Sequence, residues 1–178
     1  WKAEAKLDGI RCLITVNEKG VCEALTRSGK PLYNLSRIFE AIKFNTGLRA
    51  CVLDGELDAG KFGLTSSITR SLKAHPEVEK LKYFAFDMLT LDEFKGAASR
   101  TPTRTLAKRK AHLRTVLGPA GQYLCYLPGI AVESTQAIHD QLGEKLAAGK
   151  EGLVLKDQKS SYEFARSSAW LKLKPTKD

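Results

Sequence analysis

Lys6 sits in the run Lys6-Leu7-Asp8-Gly9-Ile10-Arg11, and by residue type it is the candidate covalent nucleophile of this chain. A free lysine is almost wholly protonated near neutrality, so nearby cations and partial desolvation would be needed to favour the reactive amine. Glu56 in Asp54-Gly55-Glu56-Leu57 and Glu151 in Glu151-Gly152-Leu153 each place a carboxylate beside a glycine at a strand-like run. Such hard oxygen donors suit Mg2+, which takes one or two carboxylates and completes its shell with substrate phosphates. Lys172 and Lys174 alternate with Leu171 and Leu173, so both ammonium groups share one face of a strand. An anion between them would relieve their repulsion, and so would open solvent. A lysine, two carboxylates and two further lysines in one cleft would carry out covalent nucleotidyl transfer. Taken singly, each has an ordinary alternative: a surface lysine beside a turn, acids at turns, a solvated strand edge.

Further residues read two ways. Arg27 in Thr26-Arg27-Ser28-Gly29 either contacts phosphate or ends a strand, and Lys156 and Arg166 have the same ambiguity. Phe86 lies in the apolar run 83–89, where an aromatic is ordinarily core. Arg100, Arg104, Lys108, Arg109, Lys110 and Arg114 form a basic cluster. Leu106, Leu113, Val116 and Leu117 fall among them at helical spacing, which favours the solvated face of an amphipathic helix over direct DNA contact. The four cysteines show no CxxC spacing and the three histidines stand alone, so reduced core thiols are expected and a zinc site is not.

The elements that must position these groups are short. Strands are expected over 2–16, broken by a hairpin-type turn at Asp8-Gly9, and over 20–27, 50–57, 83–89, 152–156 and 170–173. Residues 123–133 read as extended, with a turn at Pro128-Gly129. Helices are expected over 35–43, 67–82 with a break at Pro76, 105–117, and from an N-cap at Ser134 to about 148, stopped by Gly149. Residues 60–67 read as a Gly/Ser/Thr loop. This order predicts an α+β fold with mainly antiparallel sheets, filling 178 residues as one domain. With 43% apolar and 28% charged residues the composition is that of a globular protein. The net charge of +9 favours a polyanionic partner such as nucleic acid. No run of eighteen apolar residues is present, so no membrane association is expected.

In sequence the islands closely resemble the nucleotidyltransferase motifs of the ATP-dependent DNA ligases. The match comprises K-x-D-G-x-R at Lys6 to Arg11, the island at Arg27, D-G-E-L at Asp54 to Leu57 and F-D-x-L at Phe86 to Leu89. It continues with E-G-L-V-L-K at Glu151 to Lys156 and W-L-K-L-K-P at Trp170 to Pro175. The resemblance spans nearly the whole chain in the family's order. It implies two mainly antiparallel sheets flanked by helices around a nucleotide-binding cleft, an ATP-grasp-like nucleotidyltransferase fold. NAD-dependent ligases usually lack an arginine at the position of Arg11, which favours ATP. Capping guanylyltransferases and RNA ligases share the lysine motif, but the islands at Glu151 and Trp170 look more like the DNA ligase versions.

The roles implied are specific. Lys6 attacks ATP and carries AMP as a phosphoramide, Glu4 reads the adenine amino group, and Phe86 stacks on the base. Arg11 and Glu56 hold the ribose, Glu56 and Glu151 engage Mg2+, and Lys156, Lys172 and Lys174 steady the α-phosphate. Arg27 and Arg11 meet nicked double-stranded DNA near the break, whose 5′-phosphate receives AMP and whose 3′-OH then seals it. The resemblance further implies a monomer and an intracellular setting. That setting is the cytoplasm in a bacterium or virus-infected cell, and the nucleus or an organelle in a eukaryote. An OB-fold domain is expected beyond the end of this chain.

Overall fold

Strands β1 (Lys2–Lys6) and β2 (Ile10–Val16) follow one another in sequence but belong to different sheets. In this computed structural model, which describes residues 1–176, Asp8-Gly9 is therefore a passage between sheets, and the expected hairpin there does not form. Gly9 is demanded by a close approach: a Cβ on it would collide with the Leu57 carbonyl oxygen and lie 3.1 Å from Glu56 Cγ. Pro128 marks a second passage of the same kind, from β6 (Leu124–Tyr126) to β7 (Gly129–Ala131).

One sheet has the order β7-β1-β8-β9, with β8 at Gly152–Lys156 and β9 at Trp170–Leu173, all antiparallel. The other comprises β3 (Cys22–Leu25), β2, β4 (Cys51–Asp58), β5 (Lys82–Thr90) and β6, antiparallel except for the β5–β6 pair. The fold class is thus α+β with two mainly antiparallel sheets, as the islands predict.

Alternation decides which residues each sheet buries. Cys12, Ile14 and Val16 of β2 and Cys51, Leu53 and Leu57 of β4 point into the main core. They meet Leu35, Ile38 and Ile42, the last two carried by α1 (Ser36–Glu40) and a π-helical turn over Ala41–Thr46. Each such aliphatic side chain, fully removed from water, contributes about 1.5–3 kcal/mol before conformational entropy is charged against it. Ala3, Leu153 and Leu155 form a smaller core with Ala137, Ile138 and Leu142 of α5 (Thr135–Ala147). The Ser134 side chain accepts from the Ala137 N–H at 3.1 Å, the N-cap expected of it.

Three further expectations are corrected. Residues 60–67 are not a loop, because α2 spans Phe62–Arg70, with Thr65 and Thr69 buried and their hydroxyls bonded back to carbonyls one turn earlier. The helix over 67–82 stops at Arg70, and only a 3₁₀ turn, Val78–Lys80, follows. An unexpected helix, α3 (Leu91–Ala98), starts from a capping box between Thr90 and Glu93. The basic helix forms as α4 (Leu106–Leu117), but Arg109 and Lys110 are buried on it rather than solvated. Among the described residues no helix is long and apolar enough to cross a membrane.

Candidate active site

The faces of the two sheets turned away from these cores look at each other across a cavity of about 380 Å³. Strand register loads it with charge. Lys6 pairs with Gly152, so the last side chain of β1 stands beside Glu151, and Lys172 pairs with Val154 on the same face. Across the cleft Arg11 and Glu56 are register partners on β2 and β4. Phe86 arrives by an irregularity: pairing runs from Asp54–Asp87 to Gly55–Ala85 and skips Phe86. That bulge leaves one extra residue on β5, which puts both Phe86 and Asp87 on the cleft side.

The Lys6 ammonium donates to Glu151 Oε2 at 2.5 Å, and Lys174 pairs with the other oxygen. The two lysines, Lys174 first, hold the Glu151 carboxyl below its ordinary range. Glu56 accepts from the Gly9 N–H at 3.2 Å, yet burial outweighs that bond and the Lys6 charge and pushes its carboxyl up to about 7. Lys6, Glu56 and Lys172 line one cavity, and Glu151 ties Lys6 to Lys174, so these five residues are brought together. Arg27 lies exposed at the rim, where the loop after β3 also lines the cavity.

Arg11 makes a forked pair with Asp54, Nε to Oδ1 at 3.1 Å and Nη2 to Oδ2 at 2.7 Å. Its guanidinium lies 5.3 Å from the Trp170 ring centre and 5.8 Å from that of Phe86. Burial works against the Arg11 charge, but Asp54 more than offsets it and the pKa rises. The Tyr162 hydroxyl donates to Asp54 Oδ2 at 2.6 Å, from the loop that joins β8 to β9. Arg109, fully buried, forks onto Asp87 at 2.8 and 3.0 Å and donates to the Ser160 carbonyl of that loop at 3.1 Å. The β8–β9 loop is thereby fastened across the cleft to the other sheet and to α4.

At the inner end, Glu4 is buried to 1% exposure between two equally buried lysines. Lys156 donates to Glu4 Oε1 at 2.8 Å, and Lys110 Nζ stands 3.1 Å from Oε2. Lys156 is also 4.0 Å from the centres of both Phe86 and Trp170, whose rings meet edge to face at 5.8 Å. By the resemblance, Lys156 is expected with Lys172 and Lys174 at a phosphate. The structure instead sets it beside Glu4 and the aromatic rings, because β8 carries it four residues beyond Gly152. Burial draws the Lys110 ammonium down to about 8, with Glu4 pulling the other way.

Asp54, Asp87, Arg109, Lys110, Tyr162 and Trp170 were given no site role by the sequence reading. Asp54 and Trp170 stood inside its islands and Asp87 next to Phe86, whereas Tyr162 carries no local signal. All four cysteines are free, and among the described residues no cluster of three or more His, Cys, Asp or Glu is arranged to hold a metal alone.

A family model described as the ATP dependent DNA ligase domain matches residues 1–174. The chain belongs to that family. It is 31% identical over 195 residues to DNA ligase 4 of Eremothecium gossypii, a match covering 97% of this chain and 19% of that protein. It is also 31% identical over 176 residues to the DNA ligase of Haemophilus influenzae, covering 98% of this chain and 58% of its relative. The structure of the ATP-dependent DNA ligase of bacteriophage T7 in complex with ATP superposes with a TM-score of 0.76 at 20% identity. That match covers 98% of this chain and 61% of the phage chain, and shows the ligase nucleotidyltransferase fold. The chain therefore spans about a fifth of one relative and just over half of the other.

Proposed function

We propose that this chain is the adenylylation domain of an ATP-dependent DNA ligase, working as a single domain, with Lys6 as its nucleophile. The observation that carries the proposal is the meeting of Lys6, Glu56 and Lys172 in one cavity, with Glu151 and Lys174 joined to Lys6 beside it, while the inner end holds Glu4, Lys156 and the rings of Phe86 and Trp170. In the proposed first step the Lys6 ammonium gives up a proton, and the neutral Nζ attacks the α-phosphorus of ATP. A P–N bond forms, the bond to pyrophosphate breaks, and the amine loses a proton. Glu151 stands 2.5 Å from that amine, within reach of the proton. Charge developing on the α-phosphate oxygens faces Lys172 and Lys174, a fixed electrostatic complement. Glu4, Lys156 and Phe86 would receive the base, and Arg11 and Glu56 the ribose.

Next, a 5′-phosphate oxygen of nicked DNA attacks the AMP phosphorus and the P–N bond breaks. The 3′-OH then attacks the DNA phosphate and AMP departs. Arg27 and Arg11 at the open side of the cleft would face that phosphate, and the OB-fold domain implied by the resemblance would close on the same side.

Two carboxylates near Lys6 form only part of an octahedral oxygen donor set and fit Mg2+ only when nucleotide phosphates and water supply the rest. Glu56 and Glu151 would hold it, and when bound it would neutralise phosphate charge.

Incubation with ATP and Mg2+, followed by intact-mass measurement, tests the proposal. An AMP adduct that is absent with GTP and lost in Lys6→Ala is expected. A GMP adduct, or an AMP adduct that survives in Lys6→Ala, would overturn it.

A further inference from the structure

The buried part of the basic helix α4 has no role in the scheme above. Lys110 is placed 2% exposed at the inner end of the cleft, its ammonium donating to the Leu127 carbonyl at 2.8 Å and standing 4.6 Å from the Tyr126 ring centre. Its charge faces Glu4 Oε2 at 3.1 Å, and that buried oxygen has no hydrogen-bond partner within the protein. Lys156 occupies the other oxygen. Gly129, paired with Glu4 in the sheet, gives the carboxylate its room, since a Cβ there would lie 3.2 Å from Glu4 Cγ.

Two ammonium groups against one carboxylate is a costly arrangement to bury, and packing alone would be served better by apolar side chains. It has one clear chemical consequence. A carboxylate gripped by two ammonium groups accepts hydrogen bonds and donates none. The free lone pairs of Oε2 therefore suit a donor entering the cavity and oppose an acceptor.

We infer that Lys110 is a positioning residue for base selection, holding the Glu4 carboxylate as a hydrogen-bond acceptor toward the cavity so that the cleft takes a 6-amino purine nucleotide and rejects a 6-oxo purine. The inference rests on the nucleotide-binding reading of the cleft. An adenine amino group would donate to Oε2. A 6-oxo group would face it oxygen to oxygen, leaving both buried without a proton between them. Without the Lys110 charge Oε2 is no longer held toward the base, and the distinction between the two bases fades.

The test is calorimetric binding of ATP and of inosine triphosphate, which carries oxygen in place of the amine at C6. It is run on this chain and on Lys110→Gln, which removes the charge but keeps a donor for the Leu127 carbonyl. The unaltered protein is expected to prefer ATP by about 10- to 100-fold, the value of one charged hydrogen bond. Lys110→Gln should cut that preference to about threefold or less. Glu4→Gln, which presents an amide N–H, should do the same, and the double variant should add little to either. If Lys110→Gln weakens both nucleotides equally and the ratio stands, the inference is overturned. Should that variant not fold, Lys110→Met is judged by the same ratio. Equal binding of the two nucleotides by the unaltered chain overturns the inference alone, whereas binding of neither overturns the nucleotide reading with it.

Discussion

Arg11 and Asp54 are locked by two hydrogen bonds from adjacent strands, and the Tyr162 hydroxyl, from a loop more than a hundred residues away in sequence, completes the Asp54 carboxylate. The loop between β8 and β9 is in this way a brace for Arg11. Tyr162→Phe keeps the ring contacts with Phe164 and Trp170 and deletes only the donor to a buried oxygen. It is expected to cost about 1–2 kcal/mol in urea unfolding and to weaken nucleotide binding less than Arg11→Ala does. Unchanged stability would mean that the brace contributes nothing.

Arg109 and Asp87 are both fully removed from solvent. Asp87→Ala leaves a buried guanidinium with one partner fewer and should destabilise by about 3–5 kcal/mol. The double change Asp87→Ala with Arg109→Met should cost less than the single one, because no uncompensated charge remains. Urea denaturation of both variants measures the difference, and a simply additive result would contradict the pairing.

Much of this site is legible in the sequence because strand alternation is. Lys172 and Lys174 share a face by their spacing, and Glu56 and Glu151 sit beside glycines where strands begin or bend. The helix at Leu91 goes unpredicted although Thr90 and Glu93 spell a capping box at its start. Other features are not legible. Lys110 and Arg109 read as solvated because an unpaired basic run ordinarily is, and their acids come from Glu4 on β1 and Asp87 on β5. The bulge at Phe86 leaves no mark in an apolar run of seven, and Asp8-Gly9 has the composition of a hairpin turn while serving as a bridge between sheets.

That bridge has a steric test. In Gly9→Ala the added methyl would meet a strand carbonyl at Leu57, which cannot rotate away as a side chain does. We expect a loss of about 1–3 kcal/mol in thermal or urea unfolding, as for overpacking elsewhere, together with loss of the Gly9 N–H bond to Glu56. Gly29→Ala, with nothing within 4 Å of its added methyl but a left-handed φ of 68°, should cost only the backbone strain of about 1 kcal/mol.

Glu56 gives a pH dependence with a definite sign. Burial raises its carboxyl from an ordinary value of 4.5 to about 7, so folding takes up a proton between those values. Its contribution to stability is complete below about 4.5 and is lost as pH rises through about 7, an effect of about 1–3 kcal/mol in a cleft partly open to water. Mg2+ competes for the same oxygens and needs them ionised, so metal affinity in the presence of nucleotide should rise through the same interval. Glu56→Gln should remove both slopes. Persistence of either, read from unfolding or Mg2+ titrations across that interval, would place the titrating group elsewhere.

The proposed chemistry turns on the Lys6 amine, and peptide mapping after reaction with ATP addresses it directly. The predicted result is AMP on the Lys6 side chain through an acid-labile P–N bond, absent when Lys6 is replaced by arginine. AMP found on Lys172, on Lys174 or on a hydroxyl, with Lys6 unmodified, would contradict it.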